Sequence, residues 1–154
     1  MPLSLHARYT RVEIQAAYGD GSEESLRLPT WREGVKDMKD ARTDVFLVTL
    51  DKTQGSFSPT TRYNDYAISR ELIHWESQST TTEDSPTGRR YRAHATLGRH
   101  VHLFARLGSE ERAFFFLGPA SYVSHQGERP MKITWRLRHR LPGDLFASFA
   151  AAVA

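Results

Sequence analysis

The sequence contains no cysteine, so disulfide bonds and zinc sites built from cysteine are excluded. It also lacks an apolar run approaching the roughly 20 residues that a membrane-spanning helix needs. Its first residues, MPLSLHARYT, contain no hydrophobic segment of signal-peptide length. These absences predict a cytoplasmic protein. The composition, with 39% hydrophobic and 25% charged residues, is ordinary for a globular chain. With the chain length, it predicts one domain over residues 1–154.

Positive charge is concentrated in one part of the chain. Residues 86–140 contain 11 Lys and Arg against 3 Asp and Glu, an excess of +8, whereas residues 1–85 contain 10 against 14. A basic segment in a protein whose formal net charge is only +3 is typical of a face that binds a polyanion. The alternative is an arginine-rich surface with no particular partner.

Three short helices are predicted from their end signals. Thr10 and Glu13 have the spacing of a capping box. Ser85 is a suitable N-cap for a second helix, and Pro86 fits its first position. The predicted helices cover 10–18, 86–97 and a segment that starts near Pro142.

Apolar β-branched segments and alternating segments predict strands along the rest of the chain. Short strands at close intervals, with a few helices, predict an α+β domain. Its sheet is expected to be strongly curved and mostly antiparallel, with about five to seven strands, or to form a half-open β-barrel. A two-layer open sheet is the alternative. The predicted strands are 44–50, 67–78, 99–107, 112–119, 121–125 and 131–139.

Basic side chains recur at regular intervals on the last strand and on the second helix. Alternate residues of a strand lie about 6.5–7 Å apart, close to the phosphate spacing of a nucleic-acid strand. The helix adds arginines near its N-terminus, which favours anions. The alternatives are a charged edge strand and an ordinary basic helix. The residues predicted to bind a DNA backbone are Arg89, Arg90, Arg92, Arg99, Lys132, Arg136 and Arg138.

The segment HWESQSTTTEDSPTGRRY, residues 74–91, places a tryptophan before a long polar run. Aromatic rings stack on bases, and short polar side chains contact phosphates, sugars and base edges. The segment therefore predicts one wall of a nucleic-acid site. The alternatives are a solvated loop and, for Trp75, a place in the core. The residues predicted to contact bases are Tyr63, Tyr66, Trp75, Ser77, Gln78 and Ser79.

Signals for catalysis are weak. The sequence contains no Walker loop, no Gly-x-Ser-x-Gly elbow and no zincin motif. A metal-dependent nuclease that uses His74, His100 and His102 is the one enzymatic alternative. We therefore predict a binding module without catalytic residues, metal or cofactor.

Four stretches carry a resemblance to a known family: PLSLHARYTRVEI (2–14), DVFLVTLDKTQGSFSPTTRYNDYAIS (44–69), HWESQSTTTEDSPTGRRY (74–91) and FFLGPASYVSHQGERPMKITWRL (115–137). They resemble the domain of unknown function found at the C-terminus of bacterial DEAD/DEAH-box helicases that also carry a phospholipase D-like nuclease domain. Here the domain is expected to stand alone. The predicted barrel is similar to SRA and PUA-like folds, which read modified bases.

This resemblance implies a DNA-recognition module in a restriction or defence context. Together with the basic segment, it leads to the hypothesis of binding to double-stranded DNA that carries modified cytosine of the 5-methylcytosine type. The alternative is an accessory module that docks onto a helicase or nuclease without touching DNA. No membrane partner is expected.

Overall fold

The computed structural model describes residues 3–19, 34–51 and 65–153. The described strands are β1 Arg8–Thr10, β2 Val35–Met38, β3 Thr43–Asp51, β4 Tyr66–Ala67, β5 Leu72–Glu76, β6 His100–Gly108, β7 Ala113–Gln126 and β8 Lys132–Leu137. The described helices are α1 Arg11–Ala17, α2 Pro86–Ala93 and α3 Gly143–Val153. None of these helices is long and apolar enough to cross a membrane.

The strands form one mixed sheet in the order β2-β3-β6-β7-β8-β5-β4, and β1 pairs with β7. Only β3 and β6 run parallel to each other; the other described pairs are antiparallel. The predicted α+β class with a mostly antiparallel sheet is therefore confirmed. Within the described residues, β2 and β4 lie at opposite ends of the sheet and do not pair, so the sheet is not closed into a barrel.

The predicted helix starts are confirmed. The Thr10 hydroxyl accepts the Glu13 N–H at 3.3 Å, and the Glu13 carboxylate accepts the Thr10 N–H at 2.9 Å. At the second helix, the Ser85 hydroxyl accepts the Gly88 N–H at 3.1 Å. This helix is shorter than predicted, because turns replace the regular helix after Ala93.

Two strand predictions were wrong in extent. The segments 112–119 and 121–125 are one strand of 14 residues, because Gly118 adopts a φ of 90° and the strand continues through the irregularity. The segment 67–78 contains a hairpin instead of one strand: the Ser69 hydroxyl accepts the Leu72 N–H at 3.1 Å in the turn that joins β4 to β5.

The sheet has a hydrophobic core on each side. One core, around Phe46, Trp75 and Trp135, lies beneath α2 and α3. The other, around Phe104 and Phe114, lies beneath α1. Strands β3 and β6 contribute to both cores, which explains the continuous apolar run of DVFLVTL. We call the side of the sheet that α2 and α3 cover the helix face.

Candidate nucleic-acid interface

The strand β8 shows why one part of the sheet presents polar side chains. Its apolar residues, including Ile133 and Trp135, are buried in the core of the helix face. Side chains alternate along a strand, so Lys132, Thr134 and Arg136 point to the opposite side. Their cross-strand neighbours share that side, and together they form a polar surface that we call the open face. It comprises Tyr66, His74, Glu76, Ser124, Gln126, Lys132, Thr134 and Arg136.

A groove of about 390 Å³ runs over the open face. The rings of Tyr66 and His74 stack in it, with centroids 4.6 Å apart and planes 11° from parallel. Glu76 and Lys132 are directly opposite each other on β5 and β8. The buried Asp65 accepts the backbone N–H of Glu76 at 2.9 Å, which fixes the strand at this point. The groove thus combines an aromatic surface, both signs of charge and short polar groups.

Three predicted backbone-binding residues lie on β8 or just beyond it. Lys132 is exposed and makes no ion pair within the part of the chain that the structure describes. Arg136 pairs with Glu71 at 3.3 Å, and Arg140 contacts the same carboxylate at 3.1 Å. Arg138 is exposed and has no carboxylate partner among the described residues.

Two of the arginines predicted to bind a DNA backbone form ion pairs on the helix face. The Arg90 guanidinium donates to both oxygens of Asp44, at 2.8 and 2.9 Å. Arg99 donates to Asp37 and lies 3.7 Å from Asp44. The Asp44 side chain is fully buried, so its charge needs these cations. Arg90 and Arg99 thus compensate buried and half-buried carboxylates of the fold, and their binding to a DNA backbone stays a prediction.

The other two helix arginines differ from each other. Arg92 donates to the Glu83 carbonyl at 2.7 and 3.2 Å and lies 3.7 Å from Asp84. Arg89 is exposed and has no ion-pair partner among the described residues. Helix α2 packs Tyr91 into the core of the helix face. The residues predicted to bind one backbone therefore lie on two opposite sides of the sheet.

The residues predicted to contact bases are also divided, because some of them lie in the core and others at the surface. Trp75 is 5% exposed and stacks on Phe46 at 4.4 Å, so it belongs to the core and is not available to a base. Ser77 is fully buried; its hydroxyl accepts the Met131 N–H at 2.8 Å. Both predictions are corrected. Gln78 and Ser79 are exposed, Tyr66 lies in the groove, and Tyr63 lies outside the described residues.

The polar run before α2 has a structural use. The Thr81 carbonyl accepts the Arg129 N–H at 3.0 Å, and Glu128 accepts the Glu83 N–H at 3.1 Å. These bonds hold the run against the turn between β7 and β8. A Cβ on Gly88 would lie 2.0 Å from the Thr82 carbonyl oxygen, so only glycine permits this packing. The run is ordered by the fold, on the side of α2, and is not a wall of the groove.

A further polar chain on this side was not predicted. The Tyr122 hydroxyl lies 2.6 Å from His125 Nδ1, and His125 Nε2 lies 2.9 Å from the Glu83 carboxylate. Burial raises the pKa of Tyr122, the positive charge of Arg92 opposes that rise, and the Glu83 carboxylate adds to it. No spacing in the sequence signals this chain, because Glu83 lies 42 positions before His125 and meets it only in the folded structure.

The three histidines of the nuclease alternative are not assembled. His74 is on β5, and His100 and His102 are on β6, with β8 and β7 between them. His102 Nδ1 is hydrogen-bonded to the Tyr18 hydroxyl at 2.5 Å. Burial, with the charges of His100 and Arg138, lowers the pKa of His102 to about 4. In the described ranges no group of three or more His, Asp or Glu is placed to hold a metal ion.

Residues 3–149 match the family profile of a domain of unknown function, DUF3427. The chain belongs to the DUF3427 family. A comparison with curated proteins finds no match. The matched range contains every described strand, so the open face lies within the DUF3427 domain. Because the family description names no activity, the function of this DUF3427 domain has to be argued from its surfaces.

Proposed function

We propose that this DUF3427 domain binds DNA through its open face. One observation supports the proposal above the others: the stacked rings of Tyr66 and His74 lie in a groove beside Lys132. Cations supply affinity for the phosphate backbone. Aromatic rings supply stacking surfaces for bases. A polar sheet surface that offers both is suited to a nucleic-acid strand.

The cations of the open face have a suitable spacing. Lys132 and Arg136 project from the same side of β8 with Thr134 between them. Four residues of a strand span about 13–14 Å, which is near twice the spacing of successive phosphates. Arg138 follows just beyond the strand. We assign these cations to the backbone and assign the neutral Ser124 and Gln126 to hydrogen bonds with sugars or base edges.

A finer proposal concerns the kind of DNA. The resemblance to helicase-associated domains, and to SRA and PUA-like folds, supports a preference for double-stranded DNA with modified cytosine, in a restriction or defence context. The same resemblance suggests a helicase or nuclease as the partner that acts on the bound DNA. This part rests on analogy between folds, whereas the assignment of the surface rests on the residues of the open face.

A second candidate function is docking onto such a helicase or nuclease without DNA contact. Ile68, at the rim of the groove, is 45% exposed, and Val123 on β7 is 43% exposed. Contiguous exposed apolar patches rimmed by polar residues mark protein interfaces, and Ile68 and Val123 would be the apolar part of such a patch. This candidate uses part of the same surface, so a binding experiment separates the two.

The experiment is a titration of the whole chain with two duplexes of identical sequence, one methylated at cytosine and one unmodified, at several salt concentrations. We expect binding to both, with an affinity that falls as salt rises, and tighter binding to the methylated duplex. Equal affinities would remove the preference for modified cytosine and leave DNA binding. No binding to either duplex at low salt would contradict the proposed function and favour docking.

A further inference from the structure

Two histidines of β6 lie on the same side of the sheet as the open face. Val101 and Leu103 are buried in the core of the helix face, and side chains alternate along a strand. His100 and His102 therefore point to the opposite side. His100 is exposed, whereas His102 is half-buried, and the centroids of their rings are 6.4 Å apart. The surface on this side of the sheet thus extends beyond the groove as far as β6.

Strand pairing brings His100 into one row with an arginine of β8. Val101 pairs with Ala120 of β7, so the preceding His100 lies beside Ser121. Ser121 in turn pairs with Arg136, and both are exposed. Neighbouring strands are about 4.8 Å apart, so the backbones of β6 and β8 are separated by about 10 Å.

A second row lies two residues further along β6. His102 pairs with Pro119, and the Pro119 carbonyl accepts the Arg138 N–H at 2.9 Å. His139 follows, and burial together with the charge of His139 lowers the pKa of His6. The two rows form a surface that we call the histidine–arginine block: His100, His102, Arg136 and Arg138.

His100 is surrounded by uncharged and positive groups. It pairs with Thr43 of β3, and Ser121 is its neighbour on β7. Its backbone N–H donates to the Arg42 carbonyl at 2.8 Å. The Arg42 guanidinium donates to two backbone carbonyls, at 2.7 and 3.2 Å. None of these neighbours supplies a carboxylate for the imidazole of His100.

The acids near the block lie at its two margins. At the β8 margin, Glu71 contacts Arg136 at 3.3 Å and Arg140 at 3.1 Å. At the α1 margin, Tyr18 lines a pocket of about 350 Å³ together with two lysines and two aspartates, whose charges are equal in number: Lys36, Asp37, Lys39 and Asp40. The acids at both margins thus have cations beside them, and the block between them stays positive.

From this placement we infer that the histidine–arginine block is a second contact with the DNA backbone, and that His100 takes up a proton when DNA binds. The inference rests on the proposed DNA binding and names a part of the binding surface outside the groove. A nearby phosphate favours the protonated form of an imidazole, because opposite charges attract each other. Histidine is also the side chain whose charge ordinarily changes between pH 5 and pH 8.

The two imidazoles of the block have different roles. His102 Nδ1 is hydrogen-bonded to the Tyr18 hydroxyl at 2.5 Å. Burial, with the charges of His100 and Arg138, lowers the pKa of His102 to about 4, so His102 stays neutral above pH 5. The exposed His100 is therefore the imidazole of the block that gains a charge for the phosphate.

The test measures the affinity for one unmodified duplex by fluorescence anisotropy at pH 6 and pH 8, at several salt concentrations. Because the protonated form binds phosphate, the parent should bind about fivefold tighter at pH 6. Its slope of log affinity against log salt should be steeper there by about 0.9, which corresponds to one phosphate contact. Melting temperatures at both pH values show that the proteins compared are folded.

Three variants locate the proton. His100→Gln should bind with the same affinity and salt slope at both pH values. His100→Lys carries a permanent charge and should bind at pH 8 as tightly as the parent does at pH 6. The matched control is His125→Gln, which removes an imidazole hydrogen-bonded to Tyr122 and Glu83 and should keep the pH dependence of the parent.

The outcomes separate this inference from the proposed function. If the parent binds with the same affinity and salt slope at both pH values, the inference is overturned and DNA binding stands. It is also overturned if the pH dependence persists in His100→Gln and disappears in His74→Gln, since the proton is then taken up in the groove. A folded His100→Lys that binds at pH 8 no more tightly than His100→Gln contradicts the phosphate contact. If no DNA binds at either pH at low salt, the proposed function itself has failed.

Discussion

The helix face and the open face both carry cations from the same basic part of the chain, yet they use them differently. On the helix face, Arg90 and Arg99 compensate the buried Asp44 and its neighbour Asp37. On the side of the open face, Lys132 and Arg138 have no carboxylate partner among the described residues. The net charge of a segment therefore does not show which of its cations are available to a ligand, because some of them are paired with carboxylates of the fold.

Two consecutive residues of β5, His74 and Trp75, show the same contrast between the two faces. Trp75 points to the helix face and stacks on Phe46 in the core. His74, the preceding residue, points to the open face and stacks on Tyr66. Since side chains alternate along a strand, one of two consecutive rings lies in the core and the other lies on the open face.

The largest expected effect separates the core ring of Trp75 from the open-face ring of Tyr66. Trp75→Ala removes a buried side chain and should lower the free energy of unfolding by about 3–5 kcal/mol. Tyr66→Ala should cost much less stability, because Tyr66 is only partly buried, but should weaken DNA binding by about 1–3 kcal/mol. Urea unfolding and DNA titration of both variants measure this. A Trp75→Ala protein that is as stable as the parent would return Trp75 to the predicted DNA contacts.

The ion pair of the helix face gives the next effect. Asp44→Asn leaves Arg90 beside a neutral partner in a largely buried place, and breaking such a pair costs about 3 kcal/mol of stability. Below the unfolding transition the variant should bind DNA as the parent does. If Asp44→Asn instead keeps its stability and binds DNA more tightly, Arg90 was available for the backbone and its structural assignment is wrong.

A smaller effect depends on pH and concerns His102, on the side of the sheet opposite the helix face. Its pKa is lowered to about 4 by burial and by the charges of His100 and Arg138, against about 6.5 in an unfolded chain. Between these values the unfolded state binds more protons. Stability contributed by neutral His102 is therefore lost as the pH falls from about 6.5 toward 4, by at most about 3 kcal/mol.

The measurement for His102 is urea unfolding at pH 7.5 and pH 5. The parent should lose more stability between these two values than His102→Gln does, since the variant has no imidazole to protonate. Parallel losses in the two proteins would mean that other groups carry the pH dependence.

The smallest expected effect is a change in salt dependence. Lys132→Ala should flatten the slope of log affinity against log salt by about 0.9 and weaken all duplexes alike, since it removes one phosphate contact. Arg89→Ala is the matched control: it also removes one exposed cation, but on the helix face. A flatter slope for Arg89→Ala, together with an unchanged slope for Lys132→Ala, would place the DNA on the helix face and contradict our proposal.

Much of the fold could be predicted from local signals. These signals each lie within a few residues of one another, and the structure contains the elements that they predict: the capping box at Thr10 and Glu13, the Ser85–Pro86 start of α2 and the alternation of β8. The extent of β7 was missed because a Gly-Pro pair normally signals a turn or loop, whereas here the strand continues past Gly118 and Pro119.

The candidate site was harder to predict because it depends on partners far away in sequence. Alternation identified Lys132 and Arg136, but only strand pairing places Glu76 opposite Lys132 and Tyr66 opposite His74. Nothing near Arg90 in the sequence indicates its pairing with Asp44, which lies 46 positions away. Ser77 appeared polar and exposed by composition, yet it is buried because its hydroxyl accepts the Met131 N–H.

The most direct test of the account compares charge reversal beside the groove with charge reversal away from it, at equal net charge. One variant carries Lys132→Glu and Arg138→Glu, beside the groove. The other carries Arg89→Glu and Arg112→Glu, which are equally exposed but lie on α2 and in the turn between β6 and β7. The comparison uses variants whose melting temperatures match. We predict that the first variant loses DNA binding at low salt. The second variant should still bind DNA, with a modest general weakening. Equal losses in the two variants, or loss only in the second, would contradict the assignment of DNA binding to the open face.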